Sequence, residues 1–417
     1  MGKTFAEKIL ALKAGLDETM AGQIVTVRPD KLLTHDNTSA IAQTFRKIGV
    51  ARVANPDMHV IVLDHVTPAA TEEYAQGHKE VREFVREQGI KAFYDIGEGI
   101  CHQVFPEKGH ALPGMLIVGS DSHTPSYGAL GAFSAGIGRT EAAAVMATGE
   151  IWLRVPDSMR IVVDGRFSPR VSAKDLVLRI IGDIGADGAD YRSVEFAGTA
   201  IESMSVGGRL VLCNMAAEMG AKNAYVAPDA VTRTWLSGRT SVAYTEVLPD
   251  PDAHYVQVLH YDAATLAPQV AKPHRVDNVV PVTEVVGTPI DQALIGTCTN
   301  GRLEDLQAAA EILRGKQIAP WVRLLVLPAS REILLVAMAS GVIADLVAAG
   351  ATLINPGCGP CLGAHEGCMA PGERTISTAN RNFKGRMGSR DAEIFLASPA
   401  TVAASALTGA IADPRGV

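Results

Sequence analysis

The chain has no block of consecutive lysines or arginines, and its net charge is −7. This argues against non-specific nucleic-acid binding as its main activity. It also shows no apolar stretch behind a basic head. Met1-Gly2-Lys3-Thr4-Phe5-Ala6 opens the sequence and charges recur from Lys8 onward, so no secretory signal is expected and a cytoplasmic location is. Ala6 stands where a myristoylation motif wants Ser or Thr. The most apolar region, Ile333 to Ile354, is interrupted by Asp345 and several glycines. It reads as a buried helix and strand, not a membrane span. Cysteine is scarce, with six in 417 residues: Cys101, Cys213, Cys298, Cys358, Cys361 and Cys368. Without a secretory signal they do not form a disulfide framework, which leaves metal binding, catalysis or burial. Charge is sparse too, at 20% against 47% hydrophobic residues, which argues against disorder and allows a large core. The length allows two or three domains.

What is present alternates strand and helix signals. Ala293-Leu294-Ile295-Gly296 is a short apolar run ending at Thr297-Cys298-Thr299-Asn300, and Leu303, Leu306, Ala310 and Leu313 then mark one helix face. Val322 to Leu327 reads as a strand and Arg331 to Ala349 as a helix. Thr352-Leu353-Ile354 reads as a strand running into Asn355-Pro356-Gly357-Cys358-Gly359-Pro360-Cys361. Thr375-Ile376-Ser377 runs into Asn380-Arg381-Asn382-Phe383. In the first third, Val60 to Leu63 ends at Asp64-His65, Ala92-Phe93-Tyr94 leads to Gly99-Ile100-Cys101-His102, and Met115 to Val118 leads to Asp121-Ser122-His123. This βαβ rhythm predicts parallel, doubly wound sheets, in which loops at the carboxyl ends of strands gather on one edge. The Gly128–Gly138 stretch lacks dinucleotide-binding spacing and reads as tight packing around a turn. Pro249 to Asp252 reads as a surface loop and Pro268 to Pro281 as a linker.

Cys358-Gly-Pro-Cys361 places two thiols where both can face one metal or cluster. Such a pair fits zinc, redox chemistry or a cluster. Cys368 or His365 can complete a zinc site. Cys298, from another strand end, makes three thiols, and three with an open position suit a catalytic cubane. A buried small hydrophobe is the bland reading of any one of them. His65, His102 and His123 each stand where a carboxylate can fix the ring and raise its pKa, as acid–base work requires. His59, His78, His110, His254, His260 and His274 lack such settings and are read as ordinary. Arg381 and Arg386 flank Phe383, and a planar guanidinium suits a carboxylate.

Gly296-Thr-Cys-Thr-Asn300, Pro356-Gly-Cys-Gly-Pro-Cys361, Asn380-Arg-Asn-Phe383, Gly119-Ser-Asp-Ser-His123, Asp64-His65 and Gly99-Ile-Cys-His-Gln103 together resemble the aconitase superfamily, over nearly the whole chain. The resemblance implies three doubly wound α/β/α domains, at 1–155, 156–283 and 284–417, around one [4Fe–4S] cluster held by Cys298, Cys358 and Cys361. It implies Asn214 and Asn380 as cluster contacts, and Asp64 with His65, His102 with Asp121, and His123 with Glu218 as catalytic pairs. Ser122, Arg381 and Arg386 match contacts to substrate carboxylates, and His65 would protonate the departing hydroxyl. Cys101, Cys213 and Cys368 match no ligand position. The family's swivelling fourth domain, which carries a serine base, is expected on a separate small subunit.

His35 occupies a position where aconitase has a glutamine, and so resembles the branch that interconverts 2- and 3-isopropylmalate in leucine biosynthesis. Homoaconitate, in lysine biosynthesis, and 2,3-dimethylmalate are the alternative substrates of split members. The expected activity is a hydro-lyase acting on a small di- or tricarboxylate, without nucleic acid or membrane. Two rivals remain at this point: a non-catalytic cluster-sensing binding protein and a zinc-stabilised module.

Overall fold

Several of the apolar runs are too short for helices and too uniformly apolar to have a wet face. His59–Val62, Leu116–Gly119 and Gln292–Gly296 are buried along their whole length. Strands buried on both sides need helices on both sides, the arrangement of parallel α/β sheets. The computed structural model, which describes residues 2–363 and 365–417, has three such sheets.

The first sheet is parallel, in the order Ala92–Tyr94, His59–Val62, Lys31–Thr34, Leu116–Gly119, Phe133–Gly136. The chain enters at the central strand Lys31–Thr34, builds outward on one side, then crosses to the other. The switch point, where crossovers diverge and a crevice opens, therefore lies between Lys31–Thr34 and Leu116–Gly119. A small antiparallel pair, Ile24–Val27 with Ile151–Arg154, lies outside this sheet. The middle sheet is also parallel, in the order Asn223–Val226, Ser193–Ala197, Ser158–Asp164, Gln257–Asp262.

The third sheet has seven strands. Its parallel part runs Glu393–Leu396, Arg374–Ser377, Gln292–Gly296, Arg323–Leu327, Thr352–Leu353, so its switch point lies between Arg374–Ser377 and Gln292–Gly296. An antiparallel hairpin, Gln269–Ala271 with Val279–Pro281, joins its edge at Glu393–Leu396. The stretch expected as a linker, Pro268 to Pro281, is therefore part of a sheet, with Val270 and Ala271 fully buried. Sheet membership changes between Asp262 and Gln269, ahead of the expected 283/284 division.

The expected single helix from Arg331 to Ala349 is two, Arg331–Ala339 and Val342–Ala348. Gly341 adopts φ +80°, a left-handed conformation that ends the first helix. The first of the two is not buried either. Only Ala337 is, while Leu335, Val336 and Met338 face solvent. Among the described residues, no helix is long and apolar enough to cross a membrane.

One apolar cluster threads all three sheets, from Val60 and Ile100 through Leu210 and Leu212 to Leu294 and Leu396, and it reaches Cys298, Cys358 and Cys361. Two further clusters fill the outer faces of the first and third sheets. The loops of both switch points thus stand on one shared core.

Candidate active site

His35 and Ser120 emerge from the two strands flanking the first switch point, and Asn37 ties them: its Nδ2 donates to the Ser120 carbonyl (3.1 Å) and its Oδ1 accepts from Ser120 Oγ (3.0 Å). Thr297-Cys298 and Thr378-Ala379-Asn380 emerge from the strands flanking the third sheet's switch point. The loop holding Cys358 and Cys361 follows the next strand but one. Backbone bonds lock the two sets of loops together: the Cys358 amide donates to the Asp64 carbonyl (2.8 Å), and the Ile100 amide to that of Ala329 (2.9 Å). The result is one cavity of about 660 Å³, lined by the three thiols together with His35, His65, His102, Asp121, Ser122, His123, Asn380, Arg381 and Arg386. A second cavity of about 650 Å³ lies on the middle sheet beside Arg179, Arg192 and Tyr261 and contains none of these groups.

The three expected histidine–carboxylate pairs form and share members. His65 Nδ1 donates to Asp64 Oδ1 (2.7 Å) and its Nε2 faces Asp121 Oδ2 at 3.4 Å. His102 Nε2 donates to Asp121 Oδ1 (2.6 Å), and His123 Nε2 to Glu218 Oε1 (2.7 Å). Glu218 also accepts from Arg381 Nε at 2.8 Å. Burial disfavours a charged His65, but Asp64 and Asp121 outweigh it and hold the ring well above the usual imidazole range. His123 is raised for the same reason by Asp121 and Glu218. Burial would raise Asp121, yet His102, His123 and His65 hold it well below the usual carboxylate range. His35 goes the other way: burial, then the charge of His65, lowers it to about 4. It stacks on His65 with ring centres 3.8 Å apart. One imidazolium, His65, is thus held ready between two carboxylates against a neutral ring.

The thiols are buried and free. Cys298 Sγ accepts from Asn214 Nδ2 (3.3 Å) and Asn380 Nδ2 (3.4 Å), and Asn380 Nδ2 also donates to Asn214 Oδ1 (2.9 Å). Arg386 Nη2 lies 3.8 Å from Cys361 Sγ. A hydrogen bond from Cys358, then the Arg386 guanidinium, pulls the Cys361 thiol well below its usual range despite burial. Thr297, just before Cys298, sits at φ +73°, where a β-branched residue is strained by about 1–3 kcal/mol. Among the described residues, two groups of His, Cys, Asp and Glu have all ligand atoms within 4.8 Å of one another: His35-Asp36-Asp64-His65 and His102-Asp121-His123. The three cysteines are not among these groups. Cys368, a candidate fourth zinc ligand, is exposed and donates to the Gly363 carbonyl at 3.3 Å. His365 Nε2 faces the Thr67 carbonyl at 3.1 Å. Free buried thiols, amide donors aimed at sulfur and a cavity beside them fit an iron–sulfur cluster.

Several residues of the site were not anticipated. Asp36 accepts from the backbone amides of Asp64 (2.9 Å), His65 (2.8 Å) and Val66 (3.3 Å), and from His78 Nε2 at 2.8 Å. His78, read as ordinary, therefore belongs to the cavity wall. Tyr127 Oη lies 3.1 Å from His102 Nδ1. Cys101 contributes its backbone: its amide donates to Asp64 Oδ2 at 2.7 Å. Asp36 repeats the strand-end pattern of Asp64-His65, a signal that could have marked it. His78 and Tyr127 carry no local signal. His35 Nδ1 and Arg386 Nε are buried and have no hydrogen-bond partner among the described residues.

The Aconitase family (aconitate hydratase) profile matches residues 7–409. The chain is 53% identical over 416 residues to the 3-isopropylmalate dehydratase large subunit 1 of Methanopyrus kandleri, covering 100% of this chain and 99% of that protein. It is 55% identical over 389 residues to the probable methanogen homoaconitase large subunit of Methanosarcina mazei, covering 93% and 99%. It is 51% identical over 415 residues to the probable 3-isopropylmalate dehydratase large subunit of Methanothermobacter thermautotrophicus, covering 99% of each.

Proposed function

Because this chain belongs to the aconitase family, we propose that it is the large, cluster-bearing subunit of a hydro-lyase, which isomerises a hydroxy acid by dehydration and rehydration with a separate small subunit. The reaction favoured is the interconversion of 2- and 3-isopropylmalate. This reading rests on one arrangement: three free thiols, three histidine–carboxylate pairs and two arginines around one cavity.

A [4Fe–4S] cluster, one per chain, would be held by Cys298, Cys358 and Cys361, with Asn214 and Asn380 donating toward it. When bound, it supplies a Lewis-acidic iron for the substrate hydroxyl. Arg386 and Arg381, with Ser122 at the mouth, bind the substrate's carboxylates. His65 holds a proton between Asp64 and Asp121 and delivers it to the departing hydroxyl. Protonation by a charged donor suits a poor leaving group. His102 and His123 fix Asp121 and Glu218, and Glu218 in turn orients Arg381. The expected divisions 1–155, 156–283 and 284–417 form the domain reading, with the last boundary moved to between Asp262 and Gln269, where the chain enters the third sheet.

Relatives of nearly equal identity bear the isopropylmalate and homoaconitate names, so the substrate is decided by assay. His35, neutral and stacked on His65, is the residue that favours isopropylmalate. The chain, co-expressed with its small subunit and reconstituted anaerobically with iron and sulfide, is offered isopropylmalate, homoaconitate, citrate and dimethylmalate. Formation of the unsaturated acid is followed by ultraviolet absorbance. Preference for isopropylmalate is expected. Preference for homoaconitate would replace the substrate and keep the mechanism. No turnover on any of them, with cluster and partner verified, would overturn the hydro-lyase reading.

A further inference from the structure

Lys174 is the second residue of the helix Ala173–Ile184, whose start is fixed by the Ser172 cap. A cation there opposes the helix dipole. Its side chain is also completely buried, and an unpaired buried charge costs several kcal/mol. No carboxylate lies within ion-pair distance of its ammonium among the described residues. Nζ instead donates to two backbone carbonyls, those of Thr378 (2.8 Å) and Ala379 (2.6 Å). Neither helix stability nor an ion pair explains the residue.

The two carbonyls belong to the turn that presents Asn380, whose amide donates to Cys298 Sγ. Burial lowers Lys174 to about 7, and the charges that resist this are, in order, Cys298, Cys361, Asp175 and Asp305. Asp175 is committed elsewhere, accepting from the backbone amides of Ser172 and Gln269. Arg302 repeats the pattern on the turn that carries Cys298. It is buried and, among the described residues, lacks an ion pair. Its Nη1 donates to the Thr299 carbonyl (2.8 Å), its Nη2 to the Cys298 carbonyl (3.0 Å) and its Nε to Gln103 Oε1 (3.0 Å). Two buried basic side chains thus grip the backbone of the two turns that meet at Cys298.

We propose that Lys174 and Arg302 form a cationic cradle beneath the cysteine loops, which positions Cys298 and Asn380 and stabilises the negative charge of the thiolate-held cluster. The inference rests on the cluster reading above. Both act as positioning residues, through backbone carbonyls and through their charge. A positive charge fixed close to a cluster favours its reduced, more negative state, so removing the charge lowers the reduction potential.

The test compares the wild-type chain with Lys174→Met, Lys174→Gln and Lys174→Arg, each reconstituted anaerobically in the presence of the small subunit. Iron and acid-labile sulfide are assayed, and the midpoint potential is measured by redox titration monitored by electron paramagnetic resonance. Iron and sulfide in equal amounts are expected in the wild type; their absence would sink the cluster reading and this inference with it. Given a wild-type cluster, Lys174→Met and Lys174→Gln should shift the midpoint to lower potential and lose iron faster in air, and Lys174→Arg should keep the wild-type potential. An unchanged potential in both neutral variants, with full iron content, would overturn the inference and leave the cluster reading standing. So would failure of both neutral variants to fold while Lys174→Arg folds, since the residue would then be purely structural.

Discussion

Asp36 supports the site from below. Its carboxylate gathers three consecutive backbone amides, those of Asp64, His65 and Val66, and the ring of His78. Burial would raise its pKa, but the His78 hydrogen bond, the charges of His65 and His35 and the amide bond hold it far below the usual carboxylate range. A carboxyl depressed in the folded chain stabilises above its unfolded pKa, and that stability is lost as the pH falls toward the folded value. Asp36→Asn should therefore destabilise the cluster-free chain by about 2 kcal/mol at neutral pH, the scale of a charged hydrogen bond. The gap in urea midpoint between variant and wild type should shrink as the pH falls below about 4. A gap that stays constant down to pH 3 would mean the carboxylate charge is not what holds the turn. Asp36 also shows why some of the site could be read from sequence and some could not. Cys298, Cys358, Cys361, His65, His102 and His123 all stand just beyond apolar runs, where local pattern can mark them. Asp36 and His78 are joined across 42 positions, and Lys174 reaches carbonyls 204 and 205 positions away. No periodicity carries such pairings.

At the scale of elements, short buried strands were legible because each is apolar throughout and ends at a polar loop. Exposure was less legible. Leu335, Val336 and Met338 read as core by composition but are exposed, since hydropathy does not say how much of a helix its neighbours cover. The Gly128–Gly138 stretch was readable as tight packing, and the structure shows against what. Gly128 lies in the 3-10 segment Thr124–Leu130, directly after His123. A Cβ at this position would come 1.7 Å from the carbonyl oxygen of Ala224, in the first-ordered strand of the middle sheet. Backbone cannot yield as a side-chain tip can, so Gly128→Ala must push the segment away and with it His123 and Asp121. We expect a loss of about 3 kcal/mol, at the upper end of overpacking costs, read as a lower urea midpoint of the cluster-free chain. A variant as stable as wild type would show that this segment is not wedged between the first and middle sheets.

Across the whole molecule, two switch points face each other, one carrying acid–base pairs and the other thiols, and neither sheet alone holds a complete set. Their cavity opens to solvent at Ser122, Arg139 and Glu73, which are exposed. A hydro-lyase must retain its unsaturated intermediate and control which water returns, and an open mouth does neither. A second protein closing over that mouth would exclude bulk water and bring the base for the α-proton. The reconstituted chain alone should therefore bind substrate, seen as a perturbed electron paramagnetic resonance signal of the reduced cluster, while turning over only at background. Titrating in the small subunit should raise the rate until it saturates at a fixed ratio of the two chains. Because closure and the added base act on chemistry more than on the carboxylate contacts of Arg381 and Arg386, the gain should fall mainly on kcat, with a smaller change in KM. Turnover by the isolated chain at the saturated rate would locate the whole catalytic set on this chain and remove the need for a partner.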